Sequence, residues 1–310
     1  MTRNIPVFAI VLALAIAAPA LAQEQPDLLS GEGLGLPELQ INVTDDGWDA
    51  PDKIAAGRYL ITASYEGERD FGTVAFLSLP SDWTIDGLNE RLAEGDDSAS
   101  PVASDGTGVS STVDSLGWLY EVTLAGGVSP VDGGTAQGIV DLFPGSWAIW
   151  ADAFTPAAIE LTVTGEMPAD LPEPASTVTV TGTSDGESFG FEIDGDIEPG
   201  TQVIKVVNAS DQPHFLEVVQ LSSLVTEEQL ADYLLAKPGG TPVADSDVPA
   251  DLEVFLTPLY AATQSPGTTQ WMVATVSPGA YAMVCWLPDP GHNGESHAQR
   301  GMITIFEVFA

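Results

Sequence analysis

Two rhythms of apolar and polar residues alternate along this chain. From Leu39 to Thr44 they change places at every step, the period of a half-buried β-strand. The run AAGRYLITASYEG predicts a second strand behind a glycine turn, and Thr73–Leu79 a third. The spacing then changes. Thr84 stands ahead of Ile85, Leu88 and Leu92, which predicts a short capped helix ended by Gly95. Residues 95–114, rich in Asp, Ser, Ala and Gly, read as a loop. Strands follow around Trp118–Leu124 and Ile139–Leu142, and PGSWAIWADAF and AIELTVT close the unit. MPADLPEPA, residues 167–175, reads as a stiff, exposed linker.

Beyond it the pattern starts again. TVTVT at 177–181 answers the strand at Leu39. IEPGTQVIKVVNAS answers IAAGRYLITASYEG, with Gly200 over Gly57. VVQLSSLVTEEQLADYLL answers AFLSLPSDWTIDGLNERL, with Leu221, Thr226 and Leu230 over Leu79, Thr84 and Leu88. Thr226 and Gln229 have the spacing of a capping box. SPGAYAMVCW answers FPGSWAIWAD, and MITIFEV answers AIELTVT. Short strands, Gly/Pro turns and one helix per unit predict an all-β chain of two tandem Greek-key β-sandwich domains, 38–166 and 176–310.

The N-terminus adds a targeting signal. Arg3 precedes an apolar run that ends in Ala20-Leu21-Ala22, so residues 1–22 read as a secretory signal peptide cut after Ala22. The mature chain then has no membrane span and lies in the periplasm or outside the cell. Lys and Arg number 8 against 45 Asp and Glu, for a formal charge of −37. That excludes nucleic acid, whose phosphates need a basic surface. It favours a cationic partner by long-range steering, and as a solvated acidic face it also suits salty surroundings. The sequons at Asn42 and Asn208 carry meaning only in a glycosylating host.

The reactive residues gather late in the chain. Cys285 is the only cysteine, and His214, His292 and His297 are the only histidines. A lone cysteine in an exported protein implies an intermolecular bridge, a reactive thiol, a metal ligand or a buried inert thiol. Thiolate, imidazole and the Met302 thioether are the soft and borderline donors that suit copper. A strand ending in Cys285, then His297 and Met302, then a closing strand resembles the C-terminal signature of the cupredoxins, the blue copper proteins. The loop NASDQPHF, with His214, is similar to their earlier histidine loop. The resemblance covers residues 176–310 directly and 38–165 only through the internal repeat.

It implies one copper ion, cycling between Cu(I) and Cu(II), on His214, Cys285, His297 and axial Met302, with Phe215 and Trp286 as an apolar rim. The sequence departs from small cupredoxins in the eleven residues between Cys285 and His297, which hold His292 as an alternative ligand and Pro288, Pro290, Gly291 and Gly294 as turn formers. The first unit has neither His nor Cys. Ala151 stands where Cys285 stands, and Phe71 near His214, so one metal site is expected. The function implied is one-electron transfer with a redox partner of basic surface, and not enzymatic. A metal-free binding or scaffold module is the alternative. A thiol nucleophile lacks a positioned Asn or Asp partner, a multicopper oxidase needs more histidines, and no zinc-finger spacing is present.

Overall fold

The computed structural model describes residues 35–44, 47–66, 72–96, 117–131, 133–151, 157–235, 249, 252–292 and 294–310. The signal-peptide segment, Phe71 and most of the 95–114 loop lie outside these residues. In the first half the strands are β1 (Glu38–Thr44), β2 (Gly47–Asp49), β3 (Lys53–Ala55), β4 (Gly57–Tyr65) and β5 (Val74–Ser78), followed by helix α1 (Ile85–Asp96). Strands β6 (Thr123–Val128), β7 (Thr135–Leu142), β8 (Gly145–Ala151) and β9 (Ala158–Thr164) complete it. The second half runs β10 (Val178–Ser184), β11 (Phe189–Asp194), β12 (Gly200–Asn208), β13 (His214–Leu221), helix α2 (Glu227–Leu235), β14 (Val254–Gln264), β15 (Thr269–Val276), β16 (Gly279–Val284) and β17 (Ile303–Val308). The architecture is all-β.

Alternation decides which faces pack. Leu39, Ile41 and Val43 of β1 turn inward, and β1 lies parallel to β4 just as β10 lies parallel to β12. Helix α1 is capped where Thr84 Oγ1 accepts from the Gly87 amide at 3.2 Å. It is pinned to β9 by Asn89, whose amide side chain bonds both N–H and C=O of Ala158 at 2.8 Å. Thr226 and Gln229 form a reciprocal capping box ahead of α2. One expectation is corrected. Gly117–Tyr120 is a 3-10 helix, and the strand begins only at Thr123. Trp118 and Leu119 are consecutive and both buried.

The two halves are joined edge to edge through both of their sheets. Both sheets run through the whole molecule, in the orders β11-β10-β12-β15-β7-β4-β1-β2 and β17-β16-β13-β14-β6-β5-β8-β9-β3. Strands β7 and β15 pair antiparallel, with Gly138 opposite Met272 and Ile139 opposite Trp271. Leu142 faces Gly57 and Val276 faces Gly200. Counted back equally from those residues, Gly138 and Met272 hold the same place, so this junction has a local two-fold. A side chain at 138 would stand 2.6 Å from Val128 Cγ1 and 2.9 Å from the Trp271 carbonyl, which explains the glycine. In the other sheet, Ser265 exchanges backbone and side-chain bonds with Leu124 at 2.9 Å. Buried Gln270 accepts from the Gly127 amide at 2.9 Å. Residues 165–177 carry no strand. Arg58 holds the Pro172 carbonyl at 2.8 Å, and Lys205 pairs with Glu173.

Candidate metal centre

The loop that delivers His214 is organised by Asn208. Its side-chain carbonyl accepts from the Ser210 amide and hydroxyl at 3.0 and 2.8 Å, and its NH2 donates to the carbonyls of Gln212 and Gln264, each at 2.8 Å. At 2 % exposure, with both ends of the amide occupied, Asn208 is not an accessible glycosylation acceptor in the folded chain. His214 follows as the first residue of β13, opposite Gln264. Cys285 follows the last residue of β16.

His297 opens a 3-10 helix, His297–Arg300, that has its own capping box. Ser296 Oγ accepts from the Gln299 amide at 3.2 Å, and Gln299 Oε1 accepts from the Ser296 amide at 2.7 Å. Gly301 ends this turn at φ 97°, a left-handed conformation that glycine adopts without steric cost. Backbone bonds then lace the centre together. The Cys285 amide donates to Met302 O at 3.3 Å. The amides of Ala298, His297 and Met302 donate to the carbonyls of Cys285, Leu287 and His297, each at 2.8 Å.

Three side chains converge. His214 Nδ1 and His297 Nδ1 are 2.8 Å apart, and Cys285 Sγ lies 3.8 Å from the first and 3.6 Å from the second. Cys285 and His297 are wholly buried and His214 is 4 % exposed. Met302 is buried in the same core cluster as Cys285. A Cβ added to Gly182 would lie 3.4 Å from Met302 Cε and 3.5 Å from His214 Cδ2, so the thioether's methyl and the imidazole edge share the space above that glycine. His292 is placed elsewhere. It is 45 % exposed, with its Nδ1 2.8 Å from Asp289 Oδ2.

Phe215 packs against the cluster that contains Cys285 and stacks on Tyr260 at 5.3 Å. Trp286 turns away, donating to Glu217 Oε2 at 2.7 Å and packing in the cluster beside α2. The rim is closed instead by Phe189, whose ring centroid is 4.3 Å from His297 and 5.2 Å from His214.

Burial sets the electrostatics. It pushes His214 down to about 3, helped by the neighbouring His297. It pushes His297 down to about 4, against the pull of Asp289 and with the push of Arg300. It drives the Cys285 thiol up to about 12, although backbone bonds from Leu287 and Phe215 favour the thiolate. Both rings are therefore neutral at pH 7. His297 Nε2 stands 3.0 Å from Gln212 Oε1, an acceptor, so the ring proton sits there and the Nδ1 lone pair faces the centre. Two facing Nδ1 atoms leave one of them protonated in the metal-free protein, and the thiol keeps its own proton. A soft cation would displace the thiol proton, and the ring proton between the two Nδ1 atoms would move to the outer nitrogen of its own imidazole, so this donor set fits copper.

Outside the ligand set lies a group that sequence reasoning missed. Asp289, wholly buried, pairs with Arg300. Burial would raise its carboxyl, but the Gly291 amide, His292, Gln212 and Arg300 together hold it below the usual carboxylate range. Arg300 also donates to Glu187 O and lies 4.9 Å above the Phe189 ring. With the Pro288–Ser296 bridge and the Asp289 amide on Glu295 O at 2.7 Å, this pair folds the eleven-residue insert into a compact turn. The turn contains a short 3-10 helix, Pro290–His292. The Ser296–Gln299 spacing was the available local signal.

No family model and no curated protein matches this chain. Among solved structures it is similar to reduced auracyanin from Roseiflexus castenholzii, at 25% identity over 44% of this chain and 99% of that one, with a TM-score of 0.26. Auracyanin A, a blue copper protein from Chloroflexus aurantiacus, is 20% identical over 42% of this chain and 97% of its own, at a TM-score of 0.24. A blue copper oxidase from Nitrosomonas europaea is 12% identical over 88% of this chain and 86% of its own, at 0.22. These superpositions are loose, and the fold and centre described above rest on their own geometry.

Proposed function

We propose that this chain is an exported copper protein that passes single electrons through one centre in its second half. His214, Cys285 and His297 would hold the copper, with the Met302 thioether as a fourth donor. The observation that carries this reading is the convergence of two imidazole Nδ1 atoms and a thiol, all within 4.8 Å of one another inside the sandwich. Copper held there would alternate between Cu(I) and Cu(II), which this soft and borderline donor set suits.

The chain's own residues support electron transfer rather than chemistry on a substrate. All four side chains are buried, so solutes do not meet them directly from solvent. The backbone bonds between Cys285, Leu287, His297, Ala298 and Met302 hold the donors still, so little reorganises when charge changes. Gln212 fixes the His297 ring by its outer nitrogen, as an outer partner orients a metal-bound imidazole. The net charge of −37 steers a redox partner of basic surface. A secretory signal of the kind read at residues 1–22 would carry the chain out of the cytoplasm to meet such a partner.

Voltammetry of the purified full chain with one equivalent of copper tests this. A reversible one-electron wave with one copper retained per chain is expected. Retained copper without a wave contradicts electron transfer, and copper lost on desalting leaves the scaffold reading.

A further inference from the structure

Tyr120 belongs to the half that has no metal ligands, in the 3-10 helix Gly117–Tyr120. Its hydroxyl nonetheless donates to the carbonyl of Pro288 at 2.8 Å, across 168 residues of sequence, and approaches Gln212 Oε1 at 3.4 Å. Pro288 is three residues past the thiol ligand, inside the insert that joins Cys285 to His297. Gln212 is the residue that bonds the outer nitrogen of His297. The Tyr120 ring packs against the core cluster that holds Cys285, Leu287 and Met302. Burial raises its phenol, with the charges of Asp289 and Cys285 adding to the effect, so the hydroxyl stays a donor.

We propose that Tyr120 is a positioning residue of the metal centre. The first half is thereby part of the site, because Tyr120 clamps the ligand-bearing insert and braces the Gln212–His297 pair. The role rests on the reading that His214, Cys285 and His297 bind metal. The clamp itself is testable without metal. Opening the insert exposes the thiol, so the rate at which a disulfide reagent labels Cys285 reports the clamped population. Tyr59 supplies a matched control in the same half. Its hydroxyl also donates to one backbone carbonyl, that of Ala55 at 2.8 Å, far from the insert in the fold.

The full-length, metal-free protein is labelled as wild type, Tyr120→Phe and Tyr59→Phe. Loss of one hydrogen bond worth about 1.4 kcal/mol corresponds to about a tenfold change in an equilibrium. Tyr120→Phe is therefore expected to label about tenfold faster, with Tyr59→Phe close to wild type. In the copper-loaded proteins the thiolate-to-copper absorption band moves in Tyr120→Phe and stays in place in Tyr59→Phe. A wild-type labelling rate in Tyr120→Phe overturns the proposal, and so does equal acceleration in Tyr59→Phe, which would mean general loosening. If the wild type takes up no copper, the electron-transfer reading fails while the labelling comparison still decides the clamp.

Discussion

The two halves build the same strands around opposite solutions to one place in the fold. In the second half, Asn208 ends β12 and spends its side chain ordering the loop that presents His214. In the first half, Tyr65 ends the equivalent strand β4, and its ring fills the space instead. A Cβ on Gly72, which lies just ahead of β5 as His214 opens β13, would stand 2.7 Å from that ring. Ala151, buried at the end of β8, takes the place of Cys285. One half closes the position with apolar volume. The other buries two imidazoles and a thiol there, groups that cost free energy unless they find partners. The scaffold tolerates either, so the polar set is not needed for folding.

The comparison breaks most directly if the second half is made to copy the first. Cys285→Ala reproduces Ala151 and removes the soft donor. Copper affinity measured by competition should fall by about three orders of magnitude, roughly 4 kcal/mol, while the metal-free fold persists. Asp289→Ala attacks a buried ion pair with no counterpart among the described residues that follow Ala151. It leaves Arg300 buried without its partner, and urea unfolding should show a loss of about 3 kcal/mol.

Acid should separate the halves next. His214 and His297 hold folded values of about 3 and about 4, below the ordinary 6.5. Above pH 6.5 both folded and unfolded forms are neutral. As pH falls below 6.5 the unfolded imidazoles take protons that the folded ones refuse, so stability is lost, by about 2 kcal/mol per histidine at pH 5. Cys285, raised to about 12, works in the opposite direction and costs stability as pH rises past its ordinary value near 9. Denaturation of the metal-free chain should show its maximum between pH 6.5 and 9, and the loss between pH 6.5 and 5 should largely disappear when both histidines are replaced. The smallest effect belongs to His292→Ala. Its side chain is 45 % exposed, so its loss should cost less than about 1 kcal/mol and leave copper stoichiometry unchanged. A loss of copper there would put His292 in place of His297.

Much of this was legible in the chain. Period-two alternation located β1 and β17, apolar runs bounded by turns located β4, β5 and β9, and threonine caps located both helices, because those signals are local. The order His214, Cys285, His297, Met302 was legible as a motif. The joining of the sheets was not. It depends on Gln270 meeting Gly127 and on Gly138 meeting Met272, contacts for which no neighbour in sequence gives a sign. Strands β14 and β15 went unread because their apolar residues do not alternate strictly: Ala261 and Ala262, and Trp271 and Met272, are buried neighbours. Tyr120 was hidden for the same reason as the junction: its partner lies in the other half. Asp289 and Arg300 read as ordinary loop charges until the fold buried them against each other.

The central claim is that the buried thiol and the two imidazoles are one copper site. An absorption spectrum of the full chain after one equivalent of Cu(II), beside that of Cys285→Ala, tests it most directly. An intense visible thiolate-to-copper band is expected in the wild type and none in the variant. A colourless wild type, or a band that survives loss of Cys285, would contradict it.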